Sequence, residues 1–161
     1  MVGGPDVIHG TAIALDGRAA LICGPSGSGK SDLALRCLMQ GPNSLVKGDV
    51  RLVADDYAVV QVDNGTVVLS APKTIRDQLE VRGHGIVTVP ALDNAELVLI
   101  VELVPPDQVE RLPDPKPRRE IAGISLPVLR IAGFEASAAC KVLLEIEQIG
   151  GTNGKRDDLV L

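Results

Sequence analysis

Residues 24–31 read GPSGSGKS, and Gly24, Gly29, Lys30 and Ser31 fill every defined position of the phosphate-loop pattern G-x-x-x-x-G-K-[ST]. Its small residues (Gly24, Pro25, Ser26, Gly27, Ser28, Gly29) let backbone N–H groups curl around phosphate oxygens, and a helix starting at Ser31 adds the positive end of its dipole. In such a loop Lys30 reaches the β- and γ-phosphates of a nucleotide, and the Ser31 hydroxyl sits on Mg²⁺. Context separates this reading from a flexible glycine/serine linker. The apolar run RAALIC (18–23) precedes the loop, and SDLALRCLMQ (31–40) follows with Leu33, Leu35, Leu38 and Met39 at helical spacing. Strand, loop and helix in that order predict an α/β nucleotide-binding fold.

The second decisive stretch is LVADD (52–56), which ends an apolar run in two carboxylates, Asp55 and Asp56. One aspartate there suffices to order the metal. Neighbouring side chains on an extended chain point to opposite faces, so both can serve one site only if the strand ends or twists between them. A second carboxylate near a γ-phosphate is useful where a hydroxyl must lose its proton before attack. The plainer alternative is a metal ligand beside a solvated neighbour.

Outward from these motifs, VIHGTAIAL (7–15), the turn DG (16–17) and RAALIC (18–23) predict a hairpin. Residues 50–62 and 66–71 around DNG (63–65) predict a second. GPNSLVKGD (41–49) is a loop. PKTIRDQLEVRGHG (72–85) reads as a short helix broken at its glycines, followed by the extended run IVTVP. ELVLIVELV (96–104) is continuously apolar and is expected to be a central strand. The proline- and charge-rich stretch 105–120 predicts a mobile loop. ISLPVLRI (124–131) is a last strand, FEASAACKVLLEIEQI (134–149) the longest helix, and 150–161 a frayed tail.

A chain of 161 residues is long enough for one domain with its own core. With one Phe, one Tyr and no Trp, that core must be built from Val, Ile, Leu and Ala, and stacking platforms for single-stranded nucleic acid are disfavoured. A net charge of −5 also argues against a nucleic-acid partner. Cys23, Cys37 and Cys140 are widely spaced without a CxxC, so a zinc site is not expected, and the apolar runs are too short to span a bilayer. Together these predict a cytoplasmic protein.

His9-Gly10, GPSGSGKS, LVADD and LEVRGHGI (79–86), in this order, resemble the catalytic domain of the HPr kinase/phosphorylase family. LEVRGHGI carries the specificity, since it is similar to the family signature Leu-Glu-Ile-Arg-Gly-Leu-Gly-Ile. The resemblance is good over residues 7–104 and weaker beyond. It implies a P-loop kinase fold like that shared by HPr kinase and phosphoenolpyruvate carboxykinase, with a mixed, hairpin-rich sheet flanked by helices. It implies ATP with Mg²⁺ (or Mn²⁺ in its place), a serine of an HPr-like phosphocarrier as substrate, and a reverse reaction in which inorganic phosphate yields pyrophosphate. It also implies a hexamer. By this likeness Asp55 falls on the catalytic base with Asp56 beside it, and Lys30 on the phosphate-binding lysine. Ser31 and Glu80 fall on the Mg²⁺ ligands, Arg82 in the signature loop and His9 on the active-site histidine.

Two departures stand out. The family commonly begins with a separate N-terminal domain, whereas here the His-Gly strand comes almost at once, as in a short proteobacterial form. Near the C-terminus the family's Pro-Val-Arg-Pro-Gly-Arg-Asn is replaced by LPVLRIAGF. Ala132 stands at the register of the second, catalytic arginine, with Arg130 two positions earlier. Either Arg130 takes over, a residue such as Arg118 or Arg119 substitutes, or the phosphorylase direction is weakened. A small-metabolite P-loop kinase and a nucleotide-binding regulatory module with little turnover are the competing readings.

Overall fold

The computed structural model describes residues 6–150. Strand β1 (Asp6–His9) gives way at Gly10 to β2 (Thr11–Leu15), which forms a hairpin with β3 (Arg18–Cys23) through the Asp16–Gly17 turn. After the phosphate loop come α1 (Lys30–Leu38), β4 (Val50–Ala54), and the hairpin of β5 (Tyr57–Asp63) and β6 (Thr66–Ser70). A 3₁₀ turn at Lys73–Ile75 leads to β7 (Gln78–Val81) and β8 (Gly85–Thr88). Then follow β9 (Ala95–Leu103), β10 (Arg118–Ile121), β11 (Ile124–Ile131) and α2 (Ala138–Gly150).

Nine strands make one mixed sheet in the order β1-β5-β6-β9-β3-β2-β4, with β11 on β9 and β10 on β11. The apolar β9 is central, as its sequence predicts: β3 runs parallel along one side, while β6 pairs with its start and β11 with its end on the other. Strands β3, β9 and β11 run parallel, so the phosphate loop and the turns after β9 and β11 emerge at one edge of the sheet. That edge is where open α/β sheets bind ligands.

The two faces follow from alternation along the strands. One face packs against both helices, through Ile13, Ile22, Leu52, Leu99 and Val101 against Leu33, Cys37, Val142 and Ile146. The other is wrapped inside the curl of the sheet and is rich in small residues, Ala12, Ala14, Ala19, Ala54 and Ala58 beside Leu21, Val60, Leu69 and Ile100. Each fully buried Leu or Ile contributes about 1.5–3 kcal/mol, which lets an almost aromatic-free core hold the fold.

Five expectations need correction. The run 7–15 is broken at Gly10, and the run 50–62 is broken at Asp55–Asp56, because the chain turns two corners there from one arm of the curled sheet to the other. The segment 72–85 is mostly strand: Leu79 and Val81 pack on the core while Gln78 and Glu80 alternate with them, and Gly83 and Gly85 take positive φ (85° and 131°) in the hairpin turn. Part of the 105–120 segment is ordered structure, since β10 pairs with β11. The last helix begins at Ala138, leaving Phe134 in the preceding turn, and it reaches Gly150; the rest of the expected tail lies outside the described residues. No described helix is long and apolar enough to cross a membrane.

All three cysteines are free thiols. Burial of Cys37, on the face of α1 that packs on the sheet, pushes its thiol up to about 12, whereas Cys140 is exposed on α2. A raised pKa leaves less thiolate at pH 8, so an alkylating reagent is expected to label Cys140 first and Cys37 only after unfolding. Mass spectrometry of the digested peptides measures the order; equal rates for the two in native protein would contradict this packing.

Candidate active site

The phosphate loop joins Cys23, the last residue of β3, to Lys30, the first of α1. Gly29, which caps the helix, has φ 96°, and a β-carbon there would also lie 2.9 Å from ring carbons of Phe134. Ser28 N donates to Pro25 O at 3.0 Å, closing the loop on itself. The Lys30 ammonium is buried and folds back onto the loop, donating to Gly24 O at 2.8 Å and Pro25 O at 3.1 Å. Pro25, Ser26 and Gly27 form the exposed crest.

The two aspartates sit at the corner between β4 and β5 and part company there. Asp55 is buried and takes three hydrogen bonds: from Ser31 Oγ (2.6 Å) and Thr11 Oγ1 (3.1 Å) on Oδ1, and from Glu80 N (3.1 Å) on Oδ2. Asp56 has φ 66°, a left-handed conformation that turns its carboxylate away from the strand axis. Its side chain is exposed, and His9 Nε2 lies 2.9 Å from its Oδ1. An ionised carboxylate only accepts hydrogen bonds, so Nε2 carries the proton in this pairing. The His9 ring is tilted 50° to that of Tyr57 at 5.4 Å.

Thr11 ties the two corners together. Its hydroxyl donates to Asp55 and accepts from Asp56 N at 3.2 Å, while Gly10 N donates to Asp56 O at 2.8 Å. Sequence reasoning missed Thr11. The available signal was its place directly after His9-Gly10, on a strand adjoining that of LVADD.

The β7–β8 hairpin is anchored by the fully buried Leu79 and by the Glu80 amide on Asp55. The Glu80 carboxylate is exposed, and Arg82 stands in the turn, also exposed. Ser31, Asp55 and Glu80 are thus adjacent in the fold, and their hard oxygen donors fit a small divalent cation. Such an ion takes one or two carboxylates from the protein and leaves its other positions to phosphate and water. Among the described residues no group of three or more His, Cys, Asp or Glu is placed to hold a metal ion.

Arg130 is not brought to the aspartates. It lies on β11 opposite Glu102, with Nε 3.8 Å from Oε1, and lines a cavity with residues 108–114, Lys116 and Pro117. Arg119 instead reaches the end of the phosphate-loop strand. Burial raises the Cys23 thiol pKa, and the positive charge of the nearby Arg119 guanidinium opposes the rise. Ala132 is buried where β11 ends, in the wall of a second cleft beside the loop.

The family model described as HPr Serine kinase C-terminal domain matches residues 4–150. The chain is similar to the HPr kinase/phosphorylase of Lactobacillus acidophilus, 36% identical over 77% of this chain and 39% of that protein. It is 38% identical to that of Geobacillus thermodenitrificans over 77% of this chain and 41% of that one. The chain therefore spans about two fifths of the length of the curated relatives it matches. Among solved structures, the Hpr(Ser) kinase/phosphatase from Coxiella burnetii superposes with a TM-score of 0.71 at 24% identity, over 90% of this chain and 88% of that one.

Proposed function

Because the chain belongs to the HPr serine kinase C-terminal domain family, we propose that it is an ATP-dependent protein-serine kinase whose substrate is an HPr-like phosphocarrier. The observation that carries this reading is the division of labour between adjacent carboxylates. Asp55 is locked onto Ser31 of the phosphate loop, and Asp56 stands exposed beside His9. A protein that only binds nucleotide needs the first and has no use for the second.

In this reading the serine hydroxyl of the carrier approaches the γ-phosphorus and gives its proton to Asp56. The bond from serine oxygen to phosphorus forms as the bond to the β–γ bridging oxygen breaks, releasing ADP. His9 holds Oδ1 of Asp56, which leaves Oδ2 for the incoming hydroxyl. Lys30 offers charge to the transferring phosphoryl group. Mg²⁺, held by Ser31 and Asp55 with Glu80 beside them, supplies Lewis-acid stabilisation when bound. The likeness at LVADD favours Asp55 as base; its burial and three hydrogen bonds favour the metal side, and we assign the base to Asp56.

Incubating the protein with labelled ATP, Mg²⁺ and an HPr-like carrier tests the reading. Phosphoserine on the carrier is expected, and ATP turnover indifferent to the carrier would overturn it. The proposal includes a cytoplasmic setting, where ATP and carrier meet, and the hexamer its family implies, which light scattering measures.

The reverse reaction brings free phosphate against phosphoserine, two like charges in one pocket, so added cations matter most there. With Ala132 at the family's arginine register and Arg130 engaged with Glu102, we assign the compensating cation to Arg119. Arg119→Ala is expected to lower pyrophosphate release from phosphorylated carrier about 10²-fold, the effect of one positioned donor, and Arg130→Ala far less. The opposite ranking would return the role to Arg130.

A further inference from the structure

The phosphate loop has two flanks. On one, through β2, lies β4 with Asp55; on the other lie β9 and β11, whose ends lead into the turns 104–106 and 132–135. Between those turns and the loop is a cleft of about 550 Å³, lined by Pro25, Leu103, Pro105, Pro106, Ala132 and Phe134 among others. That volume lies in the usual range for small-molecule sites.

Phe134 is the only phenylalanine of the chain, in a core otherwise built from aliphatic side chains, yet it is 69% exposed. Its ring rests against Gly29, where no β-carbon would fit. Its turn is pinned from both sides. A β-carbon at Gly133 would lie 2.7 Å from Ser28 O, so the two backbones are in contact there. Arg36 of α1 donates to Glu135 O at 3.1 Å and to Gly133 O, while Asp32 holds its Nε at 2.9 Å. An exposed aromatic ring, fixed by a charged clamp to the helix that starts at Lys30, is a preorganised wall and not a stray surface side chain.

We infer that this cleft is the base subsite of the nucleoside triphosphate, with Phe134 stacking on the base and Pro105 and Pro106 bounding the opposite side. Arg36 acts as a positioning residue for the Phe134 turn. The inference rests on the nucleotide-dependent reading above, since the same loop contributes Pro25 and Ser28 to this cleft and the cradle to the phosphates. The occupant is set by that continuity: a triphosphate in the loop, with its cation on the Asp55 side, projects its nucleoside to the β9–β11 side. An apolar slot with a stacking wall reads ring area more than hydrogen-bonding edges, so purines are favoured over pyrimidines.

The test compares binding of ATP, CTP and inorganic triphosphate to the wild type, Phe134→Leu and Phe134→Tyr, by calorimetry with Mg²⁺ present. Phe134 is exposed, so the variants are expected to fold. ATP should bind the wild type roughly tenfold to a hundredfold more tightly than triphosphate, with CTP between them. Phe134→Leu should remove most of that gain and leave triphosphate unchanged, and Phe134→Tyr should restore it. Triphosphate binding with no gain from the base, or a gain that survives in Phe134→Leu, would overturn the subsite alone. Failure of triphosphate to bind at all would remove the phosphate-loop reading and the subsite with it.

Discussion

Lys30→Ala is expected to reduce carrier phosphorylation by 10³-fold or more while the protein stays folded. The side chain places one positive charge inside the loop, held by Gly24 O and Pro25 O. Phosphate oxygens bring a stronger acceptor than either carbonyl, so the charge is available where negative charge moves during transfer. A single preorganised donor at such a position is worth about 10²–10³ in rate, and the full charge of a lysine adds to nucleotide affinity as well. The structural cost is smaller. Two carbonyls of a partly exposed loop lose a donor that water can replace, at about 1 kcal/mol, or roughly 2–4 °C in Tm for a chain of this size. Lys30→Arg is expected to rescue poorly, because a planar guanidinium does not fit the buried turn that a compact ammonium occupies. Kinase assays alongside thermal melts read both effects, and undiminished transfer in folded Lys30→Ala would sink the phosphate-loop assignment.

The features legible in the sequence were those specified by local chemistry. The phosphate loop states its own backbone geometry through glycine positions, and DG and DNG set two tight turns between alternating runs. The apolar stretch now seen as β9 could lie only at the centre of a sheet. What escaped depended on contacts between distant segments. The short apolar pattern of 72–85 fits either period and predicts a helix; docking of Leu79 beside α1 selects the strand. The likeness at LVADD puts the base on Asp55; the division proposed above, with Asp56 as base, depends on His9 of β1 and Thr11 of β2, which that stretch does not contain. The sequence favours Arg130, with Arg118 or Arg119 as a substitute; the pairing of β10 with β11 brings Arg119 near Cys23 instead. The sequence pattern places Phe134 at the start of a helix, and only its turn over Gly29 gives it a different use.

Asp56→Asn and Asp55→Asn are expected to fail in different ways, although the residues are adjacent. Asp56→Asn keeps the size and the hydrogen bond from His9 but cannot take a proton, so the transfer step should fall about 10²–10⁴-fold. ATP affinity should change little, since the Asp56 side chain points to solvent and His9, with no bond to the loop. Asp55→Asn should weaken ATP·Mg²⁺ binding and rate in step and also lower stability. Its carboxylate accepts from Ser31, Thr11 and the Glu80 amide; an amide turns an NH₂ donor towards one of these donors. A buried donor facing a donor costs about 1–3 kcal/mol, which a melt detects. Single-turnover rates at saturating ATP isolate the chemical step, and a parallel titration across Mg²⁺ concentrations isolates the metal-dependent one. If Asp55→Asn proves to be the pure rate mutant with unchanged ATP·Mg²⁺ affinity, the roles are exchanged. The hydrogen bonds around Asp55 would then describe a base held ready in the resting enzyme, with Ser31 moving away before catalysis.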